Sequence, residues 1–372
     1  MARSRIGSVK QRVVLAGLGL AAAALAVVGG VSAKPAGVTK AHAAPLVAFL
    51  LPENVTPRWE GFDKPTFVAA LKKLVPGVQI DVLNALNDPA KQLSQADAEL
   101  TKGAKVLVVA PIDGKAFGVE AKKAEAQGAK VVAYDRLISG AKIDAYISFD
   151  GVAVGKAQGT WLLGHVKPGA RVAIINGSTT DDNAHLFNKG YMSVLAPAAK
   201  AGKIKIVGPA DGTWTPGWDP PTAQSEMEQL LTKYHNGIDA VLSANDGMAG
   251  GIIAALKAVG LAGKVPVTGQ DASLEGVQNI LRGYQGMSVF KDFRLQAPAA
   301  AKVTAALLQG KALPGINKQV ANGAGNVPSV ILPVVAVDAS NLSLLVKDGF
   351  INQYLGGLKT VCKGMPKVSI CK

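Results

Sequence analysis

Cysteine is nearly missing from this chain: Cys362 and Cys371 are the only two in 372 residues, both close to the C-terminus. No disulfide framework can hold the body of the fold, and a four-cysteine zinc site is excluded. Histidine is as scarce. His42, His165, His185 and His235 are scattered without ligand spacing, so no metal site is expected. Common catalytic and calcium-binding signatures are missing too. Beyond the first 44 residues there is no G-x-S-x-G, H-E-x-x-H or G-x-x-x-x-G-K-[ST], and no D-x-[DN]-x-[DN]-G loop. No block of Lys or Arg marks a nucleic-acid footprint. Aromatics are only 5% of the chain, so a tryptophan in a loop calls for a reason.

The N-terminus has bases and no acid. Arg3, Arg5, Lys10 and Arg12 precede the apolar run VVLAGLGLAAAALAVVGG, and two small-x-small sites follow, Val31-Ser32-Ala33 and Ala41-His42-Ala43. That order is the pattern of a secretory signal peptide, with cleavage expected after Ala33 or Ala43. The apolar run also nears the length of a membrane anchor, but the small-residue exits favour cleavage. The product is an exported protein of the periplasm or cell envelope. Residues 1–44 hold six of the bases, which lowers the net charge from +14 to +8. In an exported chain Cys362 and Cys371 are expected to pair and close a small loop in the tail.

From Leu46 onward short apolar runs alternate with amphipathic stretches. Strands are expected at Leu46–Leu51, Val78–Leu83, Lys105–Ala110 and Lys130–Tyr134, with helices over Trp59–Leu74, Pro89–Lys102 and Ala116–Ala126 between them. The pattern then restarts. Strands are expected at Arg171–Asn176, Ile204–Val207, Ala240–Ser243, Val265–Thr268 and Gly286–Phe290. Helices fall near Asn183–Leu195, Thr222–Tyr234, Met248–Ala258 and Ser273–Leu281. Such alternation means parallel βαβ units with right-handed crossovers. Two stretches repeat weakly: Gly103–Gly114 resembles Gly237–Gly247, and Gly128–Asp135 matches Lys264–Asp271 in position. An α/β fold of two similar parallel-sheet domains follows.

In parallel α/β sheets ligands sit beyond the carboxyl ends of the strands. Those ends carry Arg58-Trp59, Asp135-Arg136, Asp181-Asp182-Asn183, Asn245-Asp246, Gln270-Asp271 and Lys291-Asp292. Trp214 and Trp218 lie in the loop after Val207, whereas Trp161 falls in an expected helix and reads as core. Planar donors and acceptors beside apolar indole faces suit a ligand with many hydroxyls and flat C–H faces, which is a sugar. Any one of these acids could be a helix cap, Asp182 and Asp246 above all.

These residues carry a resemblance to a family. The segments Arg58-Trp59, Ala133–Ile138, Tyr146–Asp150, Asp181–Ala184, Gly217–Pro220, Asn245-Asp246, Gly269–Asp271 and Phe290–Asp292 resemble the periplasmic sugar-binding proteins of ABC transporters, in the type I (ribose/galactose-like) class. Within it the D-xylose-binding members are most similar, and the multiple-sugar receptors next. The resemblance spans about Leu46 to Gly349 and implies two lobes joined by a three-segment hinge, with the ligand in the cleft. One lobe would comprise residues 45–151 with 293–325, and the other residues 152–292 with 326–352. Residues 353–372 form a tail. Crossings are expected near Asp150–Val154, Asp292 and Asn326–Val327. The resemblance also implies roles. Arg58 and Arg136 donate to sugar oxygens. Asp135, Asp181, Asn183, Asn245 and Asp271 hold hydroxyls, and Lys291 donates from the hinge side. Trp59 and Trp218 stack on the ring, with Trp214 a competitor in a loop longer than usual. The implied partners are a monosaccharide (D-xylose or a related aldose), the permease subunits and a chemoreceptor, for a monomer that needs no cofactor.

Three rivals are weaker. A sugar-responsive regulator shares the fold but needs a DNA-reading helix pair where this chain has its leader. A chemoreceptor ligand carrier is compatible with transport. A secreted glycosidase could pair Asp135 with Asp271, but neighbouring bases and amides would hold both ionised, so an enzyme is not expected.

Overall fold

A computed structural model of the chain describes residues 44–365 and 369–371. Almost all of the expected leader, His42 included, lies outside the described residues. In the first half β1 (Leu46–Leu51) is followed by α1 (Lys64–Leu74), β2 (Gln79–Asn84), α2 (Pro89–Thr101), β3 (Val106–Val109), α3 (Gly118–Ala126), β4 (Lys130–Tyr134) and β5 (Ala145–Phe149). A π-helical turn at Trp59–Asp63 leads into α1.

β1 shows why this half folds as it does. Its run LVAFLL has no charge, and successive side chains point to opposite faces. Val47, Phe49 and Leu51 pack with Phe67 and Leu71 of α1. Ala48 and Leu50 pack with Ala96 and Leu100 of α2. Both faces are therefore covered by helices, as parallel sheets require. β1 pairs in parallel with β2 on one side and β3 on the other.

The second half holds α4 (Gly151–Gly164), β6 (Ala170–Asn176), α5 (Asp182–Lys200), β7 (Ile204–Val207), β8 (Thr213–Trp214), α6 (Pro220–Lys233), β9 (Ala240–Ser243), α7 (Asp246–Ala258), α8 (Leu274–Leu281) and β10 (Met287–Phe290). β6 pairs in parallel with β7, β8 and β9. The strand expected at Val265–Thr268 is reduced to single bridges, Val241 with Val267 and Ala262 with Val265. Pro266 has no amide to donate, so a continuous ladder cannot form there. α4 and α5 approach very closely. A Cβ on Gly155 would lie 1.9 Å from the Phe187 carbonyl oxygen, and one on Gly190 would lie 2.3 Å from that of Val152. The two glycines thus set how α5 presents its first turn.

The chain then returns. α9 (Phe293–Leu308), β11 (Lys318–Ala321) and β12 (Asn326–Leu332) complete the first half, and β13 (Val335–Asp338) pairs antiparallel with β10. The first sheet has the order β11-β12-β5-β4-β3-β1-β2. Asp150 and Asp292 follow the first two crossings and cap α4 and α9 through their carboxylates. The third crossing is not at Asn326–Val327. β12 pairs in parallel with β5 through Leu332, so residues 326–332 lie in the first sheet and the chain crosses between Leu332 and Val335. Ser329 to Ile331 are shielded or half-buried against β5, and this long-range pairing holds the segment in the first lobe.

The tail does not begin at 353 either. Of the three short helices α10 (Ser343–Lys347), α11 (Phe350–Tyr354) and α12 (Gly357–Val361), α11 spans that position. Phe350, Ile351, Leu355 and Val361 bury in one cluster with Phe290, Phe293 and Ala272. Cys362 and Cys371 are bonded to each other.

Candidate functional site

The strand ends of the two halves converge on one narrow cavity. Arg58, Trp59, Asp135, Arg136, Asp181, Asn183, Trp218, Asn245, Asp271 and Lys291 all line it. Trp214 is not among the lining residues; its ring lies 4.7 Å from that of His185 and its indole donates to Asp211.

Asp135 is where the chain leaves β4, with φ of 62°. This left-handed turn parts the two neighbouring side chains. The Asp135 carboxylate accepts from Arg58 Nη1 at 2.9 Å, Gln296 Nε2 at 3.2 Å and Asn183 Nδ2 at 3.2 Å. Its main-chain carbonyl accepts from Ser148 Oγ, Tyr146 Oη and Asn183 Nδ2. Arg136 turns the other way. Its Nε lies 2.9 Å from Asp181 Oδ2, and Nη2 donates to Glu53 at 3.4 Å. The adjacent acid and base thus serve different parts of the wall and do not pair with each other.

Arg58 is largely committed to the protein. Nε and Nη2 grip Asp63 at 2.7 and 2.9 Å, Nη2 also meets Gln296 at 2.5 Å, and Nη1 meets Asp135. Of its five N–H donors one, on Nη1, is left for a ligand. Tyr134 Oη also donates to Asp63. This buried frame of Asp63, Gln296, Tyr134 and Glu53 holds the arginines that face the cavity. Trp59 belongs to it as well. Its indole donates to Glu53 at 2.5 Å, and the guanidiniums of Arg58 and Arg136 lie 4.7 and 5.4 Å from its ring centre.

On the opposite wall Asp181 and Asn245 each do two things. Asp181 Oδ1 caps α5 at Asn183 N, and Asn245 Oδ1 caps α7 at Met248 N. Asp182 and Asp246, weighed above as caps, are each one residue past the cap. The second oxygen of Asp181 accepts from Trp218 Nε1 at 3.1 Å. Trp218 is buried at a left-handed φ of 59°. A Cβ on Gly177 would sit 2.2 Å from its ring, so only glycine leaves room for the indole.

Asp246 lies under this wall. It accepts from Gln285, Ser288 and the amide of Ser273, and so ties the Gly269–Ser273 loop to α7. Burial, with Asp271 nearby, pushes its carboxyl up to about 7.

Lys291 leaves β10 between the two halves. Its Nζ lies 3.1 Å from Asp271 Oδ1 and 3.9 Å from Asp135 Oδ2. The Asp135 contact is too long for a hydrogen bond and the Asp271 contact is not aligned as one, and Asp271 Oδ1 and the neighbouring Gln270 Oε1 are buried acceptors without a hydrogen-bond donor among the described residues.

The carboxyls differ. Burial works against ionising Asp135, but Arg58, Lys291 and Arg136 outweigh it and hold its carboxyl well below the usual range. For Asp181 burial prevails over Arg136, and its carboxyl is raised.

Thr56, Phe187 and Gln270 also line the cavity. Phe187 was legible in retrospect, since it follows Asn183 by one helical turn. Gln270 stands next to Asp271 in the same strand end. Thr56 gave no signal.

Comparison with known proteins places this geometry. The family model described as a periplasmic binding protein domain matches residues 47–312. The D-xylose-binding periplasmic protein of Escherichia coli (strain K12) is 40% identical over 294 residues, which are 79% of this chain and 87% of that protein. The multiple sugar-binding periplasmic receptor ChvE of Rhizobium radiobacter is 37% identical over 320 residues, 82% of this chain and 89% of the receptor. An ABC transporter solute binding protein from Clostridium phytofermentans, solved with bound β-D-glucose, superposes with a TM-score of 0.76 at 34% identity, covering 82% of this chain and 98% of that one. The chain belongs to the periplasmic binding protein family, with the type I fold of its sugar-binding members.

Proposed function

We propose that this chain is an extracytoplasmic solute-binding protein that captures a monosaccharide, D-xylose foremost, in the cleft and delivers it to an ABC transporter permease for import. The observation that carries the reading is Lys291. A buried ammonium is costly unless its donors are met. Here it stands between Asp135 of one half and Asp271 of the other, close to both and hydrogen-bonded to neither. A sugar hydroxyl, which donates once and accepts twice, can accept a hydrogen bond from Nζ and donate one to Asp271. Charge-assisted bonds of this kind are roughly twice as strong as neutral ones.

The ten expected residues then divide the work. Asp135, Asp181, Asn183, Asn245 and Asp271 meet hydroxyls, Arg58, Arg136 and Lys291 donate, and Trp59 and Trp218 supply the flat walls. Closure of the two halves about the three crossings traps the sugar, and the ligand acts by binding the closed state better. The chain works as a monomer, by binding rather than turnover, after export to the periplasm or cell envelope. Its relatives are named as periplasmic, and no described helix is long and apolar enough to cross a membrane.

A second reading is a multiple-sugar receptor that takes galactose, glucose or arabinose and feeds transport or a chemoreceptor. The Trp218-Asp219-Pro220 sequence beside the cavity and the likeness to ChvE favour it. A thermal-shift panel of D-xylose, L-arabinose, D-glucose and D-galactose, followed by calorimetry, separates the two. D-xylose alone raising the melting temperature supports the first reading, several sugars the second. No response to any of them overturns both.

A further inference from the structure

Beside the polar cavity lies a much larger space of about 580 Å³, partly open to solvent. The two share Thr56, Trp218, Asn245 and Asp271 as a common wall. The far wall is of another character: Val55, Phe62, Leu274, Tyr354 and Leu355 are among its lining residues. It draws on both halves and on the tail.

That wall is built. Phe62 stacks on Phe293 at 4.8 Å and meets Tyr354 edge-on at 5.3 Å. Gln278 Nε2 donates to the Thr360 carbonyl at 3.0 Å, and Arg294 Nη2 grips Asp348 at 2.8 Å. The Cys362–Cys371 bond closes the segment behind. On the common wall Asp271 Oδ1 is a buried acceptor without a donor, and Gln270 Oε1 beside it is another.

We propose that this space is a subsite for the apolar substituent of a glycoside. The proposal rests on the sugar-binding reading: the sugar ring occupies the polar cavity, and its aglycone passes Trp218 and Asp271 into the adjoining space. A free monosaccharide has no use for the larger space. A second pyranose fits its chemistry poorly, because hydroxyls set against Phe62, Leu274 and Leu355 would lose water and gain no partner. An aromatic or alkyl group buries its surface there without that penalty and meets two aromatic rings.

The test compares D-xylose and D-glucose with their phenyl α- and β-glycosides by calorimetry on the full mature chain. At least one phenyl glycoside is expected to bind within tenfold of its parent sugar. Val55 is 40% exposed and makes no part of the polar cavity. Val55→Trp places a bulky ring in the adjoining space next to Thr56 with little risk to folding, and should weaken the phenyl glycoside at least tenfold while leaving the free sugar unchanged. If the free sugars bind and all four glycosides bind more than tenfold weaker, this inference falls and the sugar reading stands. It also falls if Val55→Trp leaves both ligand classes unaffected or weakens them equally. If neither parent sugar binds, the sugar of the four-member panel that binds best and its phenyl glycosides take their place; if none of the four binds, the sugar reading fails and takes this one with it.

Discussion

Asp135 and Asp271 hold equivalent places in the two halves. Each stands at a strand end with a left-handed φ, 62° and 96°. Each donates its amide at 2.8 Å to a carbonyl of the next strand, Asp135 to Ile147 and Asp271 to Val289. Each points a carboxylate toward Lys291. The weak repeat between Gly128–Asp135 and Lys264–Asp271 therefore reflects the same backbone turn used twice, with one lysine between the two copies.

Asp135→Asn keeps the shape of the side chain and removes its charge. Arg58 and Lys291 then lose their common anion, and a hydrogen bond to a charged group is worth about 1.5–3 kcal/mol. Affinity for the sugar that binds best is expected to fall about 10- to 150-fold, read by calorimetry, with an unchanged far-UV spectrum. Unchanged affinity would remove Asp135 from the site.

Gly177→Ala tests the stacking plate. The added methyl would meet the Trp218 ring at 2.2 Å, and the Gly177 backbone itself does not need glycine, since it is not left-handed. The indole must move toward solvent. A red-shifted tryptophan emission and a loss of sugar affinity of tenfold or more are expected together. An unshifted spectrum with full affinity would show that Trp218 is not held as described.

Acid should weaken binding through Asp181 before Asp135. Asp135 is depressed, so its charge persists as pH falls through the usual carboxylate value of about 4 and is lost only below it. Asp181 is raised, so it takes its proton above that value. Binding measured down a pH series should decline while Asp135 is still ionised, and Asp181→Asn should flatten that decline. If Asp135→Asn flattens it instead, the assignment is reversed.

Asp246 concerns stability and carries the opposite sign to a salt-bridged acid. Its folded-state carboxyl is pushed up to about 7 by burial and by Asp271. The folded form therefore holds the proton more tightly, and this contribution to stability is full below the unfolded value of about 4 and is lost as pH rises through about 7. Denaturant unfolding should show stability declining across that window in the wild type, with a smaller slope in Asp246→Asn. Equal slopes would refute it.

Much of this was legible locally. The runs at Leu46–Leu51, Lys130–Tyr134, Ile204–Val207 and Ala240–Ser243 are strands with those bounds, because a short, mostly apolar run between amphipathic helices is buried best as a strand of a helix-covered parallel sheet. The polar residues just beyond them had to lie at one end of a parallel sheet, which is why all ten reach one cavity. What was missed was non-local. Nothing near Arg58 says that its donors are taken by Asp135 and Gln296, which are 77 and 238 residues away. β12 reads like a lobe-crossing strand until its pairing with β5 is known.

The sequence by itself thus determined two α/β halves, their order along the chain and the polar strand ends, since periodicity and strand-end chemistry are properties of neighbours. Tertiary structure decided which of two loop tryptophans enters the cleft, how many donors each arginine keeps for a ligand, where the third crossing falls, and that the tail forms one wall of a second space. Those outcomes depend on which distant surfaces meet, and burial satisfies or strands each polar group only after they have met.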